Sequence, residues 1–263
     1  MTRFLVLGSS HVAAMKQAAP QFVERHPDID LSFFASAAPT FRVGRVGQKG
    51  FFTPKYRSKG DRQLARQVND ALTVDLTSFD QILVSGFRFS MGDVAKVLLD
   101  FDIVEGTDTG KAQTCSLDFL RAMIDHLVAR EMKLITGCLG ENRNFTITDA
   151  PYPAETIGQR SEDYDPAKSL DAFMNHPDAP GLFDYWKDQV AAGVTAAGYG
   201  FLPQPVETVT KPFATAGQFT AAAPHMNGEQ LSWTDHRHMN ADFGLHVLEA
   251  FTEKHMNPTP KPA

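Results

Sequence analysis

Phe4-Leu5-Val6-Leu7-Gly8-Ser9-Ser10-His11 is the stretch whose reading decides the fold. Four apolar residues run straight into a glycine and two serines, and Val12-Ala13-Ala14-Met15 follows. The pattern reads as a buried strand that stops at a tight turn and feeds a helix. In an open parallel sheet such a junction lies at the carboxyl end of a strand, where these sheets bind ligands. Ser10 is then placed at the mouth of a site, beside the exposed amides of a helix N-terminus. On this stretch alone, a simple helix cap by Ser9 or Ser10 is the better account of the serines.

Outward from that turn, strand and helix patterns alternate. Val12, Met15, Ala19, Phe22 and Val23 form one apolar stripe, with Pro20 expected to kink or shorten the helix. Asp28 to Ala35 reads as a second strand and Asp80 to Gly86 as a third. Helices are expected over Ser90 to Asp100 and over Ser116 to Glu131, the latter capped by Ser116. Lys133 to Cys138 reads as a fourth strand and Gly200 to Pro203 as a short fifth. Leu182 to Ala197 and the segment carrying Phe243, Val247, Ala250 and Phe251 read as helices. Strands alternating with helices predict an α/β protein with a central parallel sheet of about five strands, covered on both faces.

Two stretches carry weaker patterns. Thr40 to Gly60 is basic and glycine-containing, a long loop or hairpin over the sheet that either contacts substrate or is simply solvated. Leu139 to Pro180 reads as mostly loop, with one short helix near Ala167 to Met174. An extended piece is expected near Phe213 to Ala221. Residues 1–256 are read as one domain, since no linker divides them, and the proline-rich tail 257–263 as disordered.

Composition bounds the partners. The chain has 263 residues, 43% of them hydrophobic, enough for one sizeable core. A net charge of −6 and a pI near 5.8 give no reason to expect nucleic acid or an anionic membrane. The two cysteines, Cys115 and Cys138, fit no metal motif and read as reduced thiols. No secretory signal and no membrane-spanning run is evident, so a cytoplasmic location is the default expectation. The sequence is silent on oligomeric state.

More than two hundred residues after Ser10 comes Trp233-Thr234-Asp235-His236-Arg237-His238-Met239-Asn240. A serine hydroxyl becomes a nucleophile when a base takes its proton, and that base works best when a carboxylate fixes its tautomer. Asp235 and His238, three apart, can present both side chains on one side of a turn. If the last helix returns to the sheet, its N-terminal end brings His238 over Ser10. Other readings of these residues stay open. His236, His238 and Asp235, joined by His225, have the look of metal ligands, though no spacing completes a set. Gly8-Ser9-Ser10 as a phosphate turn lacks the usual glycine patterns. Trp186, Tyr185 and Phe183 read as a helix face in the core.

The two blocks together resemble the SGNH (GDSL-type) hydrolase and acyltransferase superfamily. Gly8-Ser9-Ser10-His11 is similar to its first block, Asp235 to Asn240 to its last, and Gly244 fits the related acyltransferase-type domains. The resemblance implies a three-layer, flavodoxin-like fold and ester hydrolysis or acyl transfer. Ser10 is the implied nucleophile, His238 the base and Asp235 its orienting carboxylate. It implies no metal and no cofactor. The expected substrate is a small-molecule or saccharide ester, with O-acyl carbohydrates in range.

The chain departs from the family pattern in two places. Ser9 stands where an aspartate is usual. The best match to the third block is Gly86-Phe87-Arg88-Phe89, which puts Arg88 where the oxyanion-hole asparagine belongs. Arg88 can serve an oxyanion, bind an anionic substrate, or form a structural salt bridge. Gly86, Ser9, His11 and Asn142 are the further residues expected around the oxyanion and substrate. For the second-block glycine only Gly44 and Gly47 offer themselves. The alternative reading, motivated by Arg88, is a non-catalytic carbohydrate- or ligand-binding protein on the same scaffold, and a metal-dependent hydrolase is the third.

Overall fold

A computed structural model describes residues 1–140, 144–160, 165–220 and 235–256. Five parallel strands make the central sheet: β1 (Thr2–Gly8), β2 (Ile29–Ala35), β3 (Gln81–Phe87), β4 (Thr146–Asp149) and β5 (Gly200–Leu202). Their spatial order is β5-β4-β3-β1-β2. Sequence order therefore reverses between β1 and β3, and the crevice at their carboxyl ends is where such sheets hold ligands. The main helices are α1 (Val12–Arg25), α2 (Lys59–Asn69), α3 (Gly92–Asp100), α4 (Leu117–Leu139), α5 (Asp165–Met174), α6 (Ala179–Ala196) and α7 (Ala241–His255).

The sheet's two faces can be read from β1, because successive side chains on a strand point to opposite sides. Phe4 and Val6 join Val12, Met15 and Phe22 of α1 and Phe243, Val247 and Phe251 of α7 in one apolar cluster. Leu5 and Leu7 join Val94 of α3, Ile124 and Val128 of α4 and Trp186 of α6 in the other. Three layers result, as expected from the alternating pattern. The Phe4 and Phe251 rings stack with centroids 4.5 Å apart, pinning the last helix to the first strand. Within the described residues no helix is long and apolar enough to cross a membrane.

Several expectations need correction. Lys133 to Cys138 is not a strand but the last third of α4, which runs 23 residues from its Ser116 cap to Gly140. The apolar stripe of Leu120, Ile124, Leu127 and Val128 continues at Glu131, Met132, Ile135, Cys138 and Leu139, all buried at helical spacing. The true stop is Gly140, whose φ of +80° suits glycine. The fourth strand lies instead in the stretch read as loop, at Thr146–Asp149. Pro20 neither ends nor shortens α1, which continues to Arg25.

The basic stretch from Thr40 is a hairpin, as one of its two readings had it: Arg45–Val46 pairs with Phe51–Thr53. Val74–Asp75 adds a third strand beside Phe51–Thr53. After the hairpin comes the unforeseen α2, whose Ser58 and Asp61 make a reciprocal capping box. Near Phe213 the extended piece is two short antiparallel strands, Val209–Lys211 and Ala214–Thr215, followed by a turn of 3-10 helix. The tail 257–263 lies outside the described residues.

One close approach positions the site. A Cβ added at Gly244 would lie 2.3 Å from the backbone C and O of Ala14, so α7 can meet α1 at this depth only through glycine. Glycine inside a helix costs roughly 0.5–1 kcal/mol relative to alanine, but a backbone overlap of that size outweighs the gain. Gly181 in α6 has nothing within 4 Å of the same added atom. Gly244→Ala is therefore expected to destabilise the protein by about 1–3 kcal/mol, whereas Gly181→Ala is expected to be neutral or to stabilise it by up to about 1 kcal/mol. Denaturant melts of the two variants beside the parent check this, and equal effects of the two would contradict the packing account.

Candidate functional site

The turn after β1 is built so that Ser10 stands free of the helix it precedes. The Ser9 N–H donates to the Ser85 carbonyl at 3.0 Å, holding the turn against β3. The carbonyls of Ser9 and Ser10 accept from the N–H groups of Val12 and Ala13, which starts α1 without any side-chain cap. The capping alternative for Ser10 thus falls away. Among the described residues nothing accepts from the backbone N–H groups of Ser10 and His11.

The turn is tight against its neighbour. A Cβ at Gly8 would sit 1.9 Å from the Ser85 carbonyl oxygen. Gly86, at φ +119°, lies where the β3–β4 register shifts, and a Cβ there would fall 2.2 Å from Ser9 Oγ. Gly86 thus lets the end of β3 close over Ser9. Ser9 is fully enclosed and its Oγ has no hydrogen-bond partner, which leaves it no face toward a substrate.

The second half of the site comes from the segment before α7. Asp235 Oδ1 accepts from the N–H groups of Arg237 and His238 at 2.8 and 2.7 Å, an Asx-type turn that fixes the loop on its own carboxylate. The His236 carbonyl accepts from Ala154 N–H. Asn240 caps α7 by accepting from Phe243 N–H, and its side-chain amide donates to the Gln218 carbonyl. With Met239 buried, the imidazole of His238 has little freedom.

That imidazole bridges the two halves. His238 Nδ1 lies 2.9 Å from Asp235 Oδ2, and His238 Nε2 lies 2.8 Å from Ser10 Oγ. Burial alone would raise the Asp235 pKa. The hydrogen bonds from the His238 ring and from the two backbone N–H groups outweigh it and hold the carboxyl well below the usual carboxylate range. Asp235 is thus ionised and aimed at Nδ1, which leaves Nε2 facing the serine oxygen. Three groups in this order can move a proton off a hydroxyl and stabilise the cation formed.

Around the trio lies a second set of charged groups. The His11 ring stacks beside His238 with centroids 5.1 Å apart. Arg88 Nη2 makes a long contact of 3.4 Å to His11 Nε2. Burial, then the Arg88 charge, pushes the His11 pKa well below its ordinary value, so His11 stays neutral. Arg88 is itself brought down to about 10 by burial and by repulsion from Arg237 and Arg42. Its backbone N–H donates to Glu131 Oε1 at 2.9 Å, and Glu131 Oε2 pairs with the Arg42 guanidinium. The salt-bridge reading of Arg88 fails, because Glu131 takes only its backbone, and Arg42 supplies the ion pair.

Other expected residues fare variously. Asn142 lies outside the described residues, as does His225. Gly44 packs against the Phe52 ring and Gly47 closes the hairpin; nothing described ties either to the Ser10 turn. The metal-ligand reading of the H-x-H pair is not supported, since His238 is engaged with Ser10 and Asp235 while His236 Nε2 accepts from Arg237 Nε at 3.2 Å. Among the described residues no group of three or more His, Cys, Asp or Glu side chains is arranged to hold a metal ion. Trp186 is core, as expected, but it also walls a cavity with Tyr152, Phe213, Arg88 and Asp149.

Asp149, Glu131 and Arg42 were not foreseen. Glu131 carried a signal, an acid at a buried position of the α4 stripe. Asp149 was hidden with its strand.

No protein-family model matches the chain, and no curated protein matches it by sequence. Among solved structures it is similar to the periplasmic domain of a lipopolysaccharide acetyltransferase from Salmonella ser. Paratyphi A. That likeness has a TM-score of 0.42 at 9% identity and covers 97% of this chain and 83% of that one. A DUF4886 family protein from Bacteroides uniformis is similar at a TM-score of 0.37 and 10% identity, over 100% of this chain and 87% of that one. Both likenesses are distant, and neither bears on the chemistry.

Proposed function

We propose that the protein is a serine esterase or acyltransferase that forms an acyl–enzyme at Ser10. The observation that carries this is the continuous Ser10–His238–Asp235 hydrogen-bond line, at 2.8 and 2.9 Å, assembled from opposite ends of the chain. A helix cap or a random surface contact does not call for a half-buried, pre-ionised carboxylate behind the histidine.

In this reading Ser10 Oγ attacks the ester carbonyl while His238 Nε2 takes its proton, and a C–O bond forms as the carbonyl pair moves to oxygen. Asp235 keeps its negative charge throughout and stabilises the imidazolium. When the tetrahedral adduct collapses, the ester C–O bond breaks and the proton on Nε2 passes to the departing alcohol. Water, or a second alcohol in a transfer reaction, then gives its proton to His238 and attacks the acyl carbon. Collapse returns the proton to Ser10 and frees the acid or the new ester.

The oxyanion needs donors aimed at it, each worth about 3 kcal/mol of barrier. The backbone N–H groups of Ser10 and His11 have no acceptor among the described residues and belong to the nucleophile and the residue after it. The Arg88 N–H is spent on Glu131, so the third block contributes no backbone donor from that residue.

Ser10→Ala is expected to lower cleavage of an activated ester such as 4-nitrophenyl acetate by at least about 10³-fold and to abolish labelling by a fluorophosphonate. Undiminished cleavage in that variant, from a preparation that is active to begin with, would sink the proposal. Failure of the parent to label, alongside measurable saccharide binding, would favour the non-catalytic alternative. Asp235→Asn keeps an acceptor for the turn N–H groups but no longer holds the imidazole in one tautomer. Its kcat is expected to drop roughly 10²–10⁴-fold with KM little changed, and steady-state kinetics with an unchanged kcat would remove Asp235 from the reaction.

A further inference from the structure

The cavity beside the serine turn has polar groups that the chemistry at Ser10 does not use. It has a volume of about 240 Å³ at the carboxyl ends of β3 and β4, with Tyr152, Trp186 and Phe213 among its walls. That is smaller than the ~300–1,000 Å³ of ordinary ligand pockets, which leaves room for a short group and none for a long acyl chain.

Arg88 and Asp149 are both among the residues that line this space. A guanidinium carries five N–H donors. Arg88 spends its side chain only on the long contact to His11, with no carboxylate in salt-bridge range among the described residues. The two carboxylates whose charge reaches it are already engaged, Glu131 by the Arg88 backbone and Arg42, and Asp235 by His238 and its own turn. Holding a partly buried cation without a counter-ion is costly, and a ligand that supplies one recovers that cost.

Asp149 is equally unspent. Both its carboxyl oxygens are buried without a partner. Burial, then the Glu131 charge, lifts its pKa far above the carboxylate range, so the group is a neutral acid with a proton to donate. The lining also holds one further acid, Asp93, and two further cations, Lys96 and Arg237. The cavity is thus a cationic fork and a neutral donor between aromatic walls. That set is complementary to a single carboxylate, which accepts two parallel bonds from an arginine and a third from an acid.

We propose that this cavity selects an ester carrying a free carboxylate a few bonds from its reacting carbonyl, gripped by the Arg88 guanidinium and by Asp149. The proposal rests on Ser10 being the reacting serine only for where the ester carbonyl lies. His11 touches both Arg88 and His238, and the cavity is lined by His236 and Arg237, the residues just before His238, so the two sites adjoin.

The test is an equilibrium titration of the full-length Ser10→Ala protein with monomethyl succinate and with its neutral counterpart, dimethyl succinate. The monoester is expected to bind at least tenfold tighter. Arg88→Gln in the same background is expected to erase the preference, and Arg88→Lys, which keeps the charge but not the fork, to retain part of it. Equal affinity for the two esters, no measurable binding of either, or a preference that survives Arg88→Gln would overturn the assignment. Because the readout is binding and not turnover, a protein that labels at Ser10 yet shows no carboxylate preference loses this inference and keeps the hydrolase reading.

Discussion

The structure depends on how closely its last helix can lie against its first. α7 reaches α1 at Gly244, where no side chain stands between the helix and the Ala14 backbone. Depth there decides what happens a turn earlier in each helix. The α1 end carries Ser10, and the α7 end carries Asp235 and His238. Their hydrogen bond tolerates only a few tenths of an ångström, so the approach of two backbones is translated directly into whether a proton can move. The burial of Phe243, Val247, Leu248 and Phe251 secures this, at roughly 1.5–3 kcal/mol each before ordering costs.

Behind that pair the protein stores a patch of charge that does not close on itself. Arg42, Glu131 and Arg88 form a chain in which the acid is shared between one side chain and one backbone. Asp149 adds a carboxyl that stays neutral because it is buried beside Glu131. Natural cores rarely keep unsatisfied polar groups without a use for them. Ser9, His11, Arg42 and Asp149 each keep such an atom close to the carboxyl ends of the strands.

Much of this was legible in the chain itself. Leu5, Val6 and Leu7 ending at Gly8 read as a buried strand meeting a turn, and that is what they form. Asp235 and His238 share a turn by spacing alone, and the α7 stripe told where that turn returns. The misreading of Lys133 to Cys138 has a plain physical cause. A short apolar run with β-branched members fits a buried strand as well as the end of a helix. The stripe from Leu120 through Ile135 to Leu139 carries the answer, but only when read as one period. β4 escaped because it is four residues long and half of it is threonine. α2 escaped because Ala65 is its one fully buried residue, which leaves no apolar stripe to see. The neutral state of Asp149 was beyond reach, since burial and the nearness of Glu131 are facts of packing between segments 18 positions apart.

The bond between Ser10 and His238 spans 228 positions of chain. A growing polypeptide emerges at about 5–20 residues per second, so roughly 10–45 seconds separate the appearance of the hydroxyl from that of its base. During that interval β1 and α1 can form, but the edge they later offer to α7 stays bare, and the serine remains an ordinary alcohol. Long-range closure of this kind slows folding. It also means that no fragment lacking the last helix carries the assembled proton path, so chemistry at Ser10 and completion of the fold arrive together.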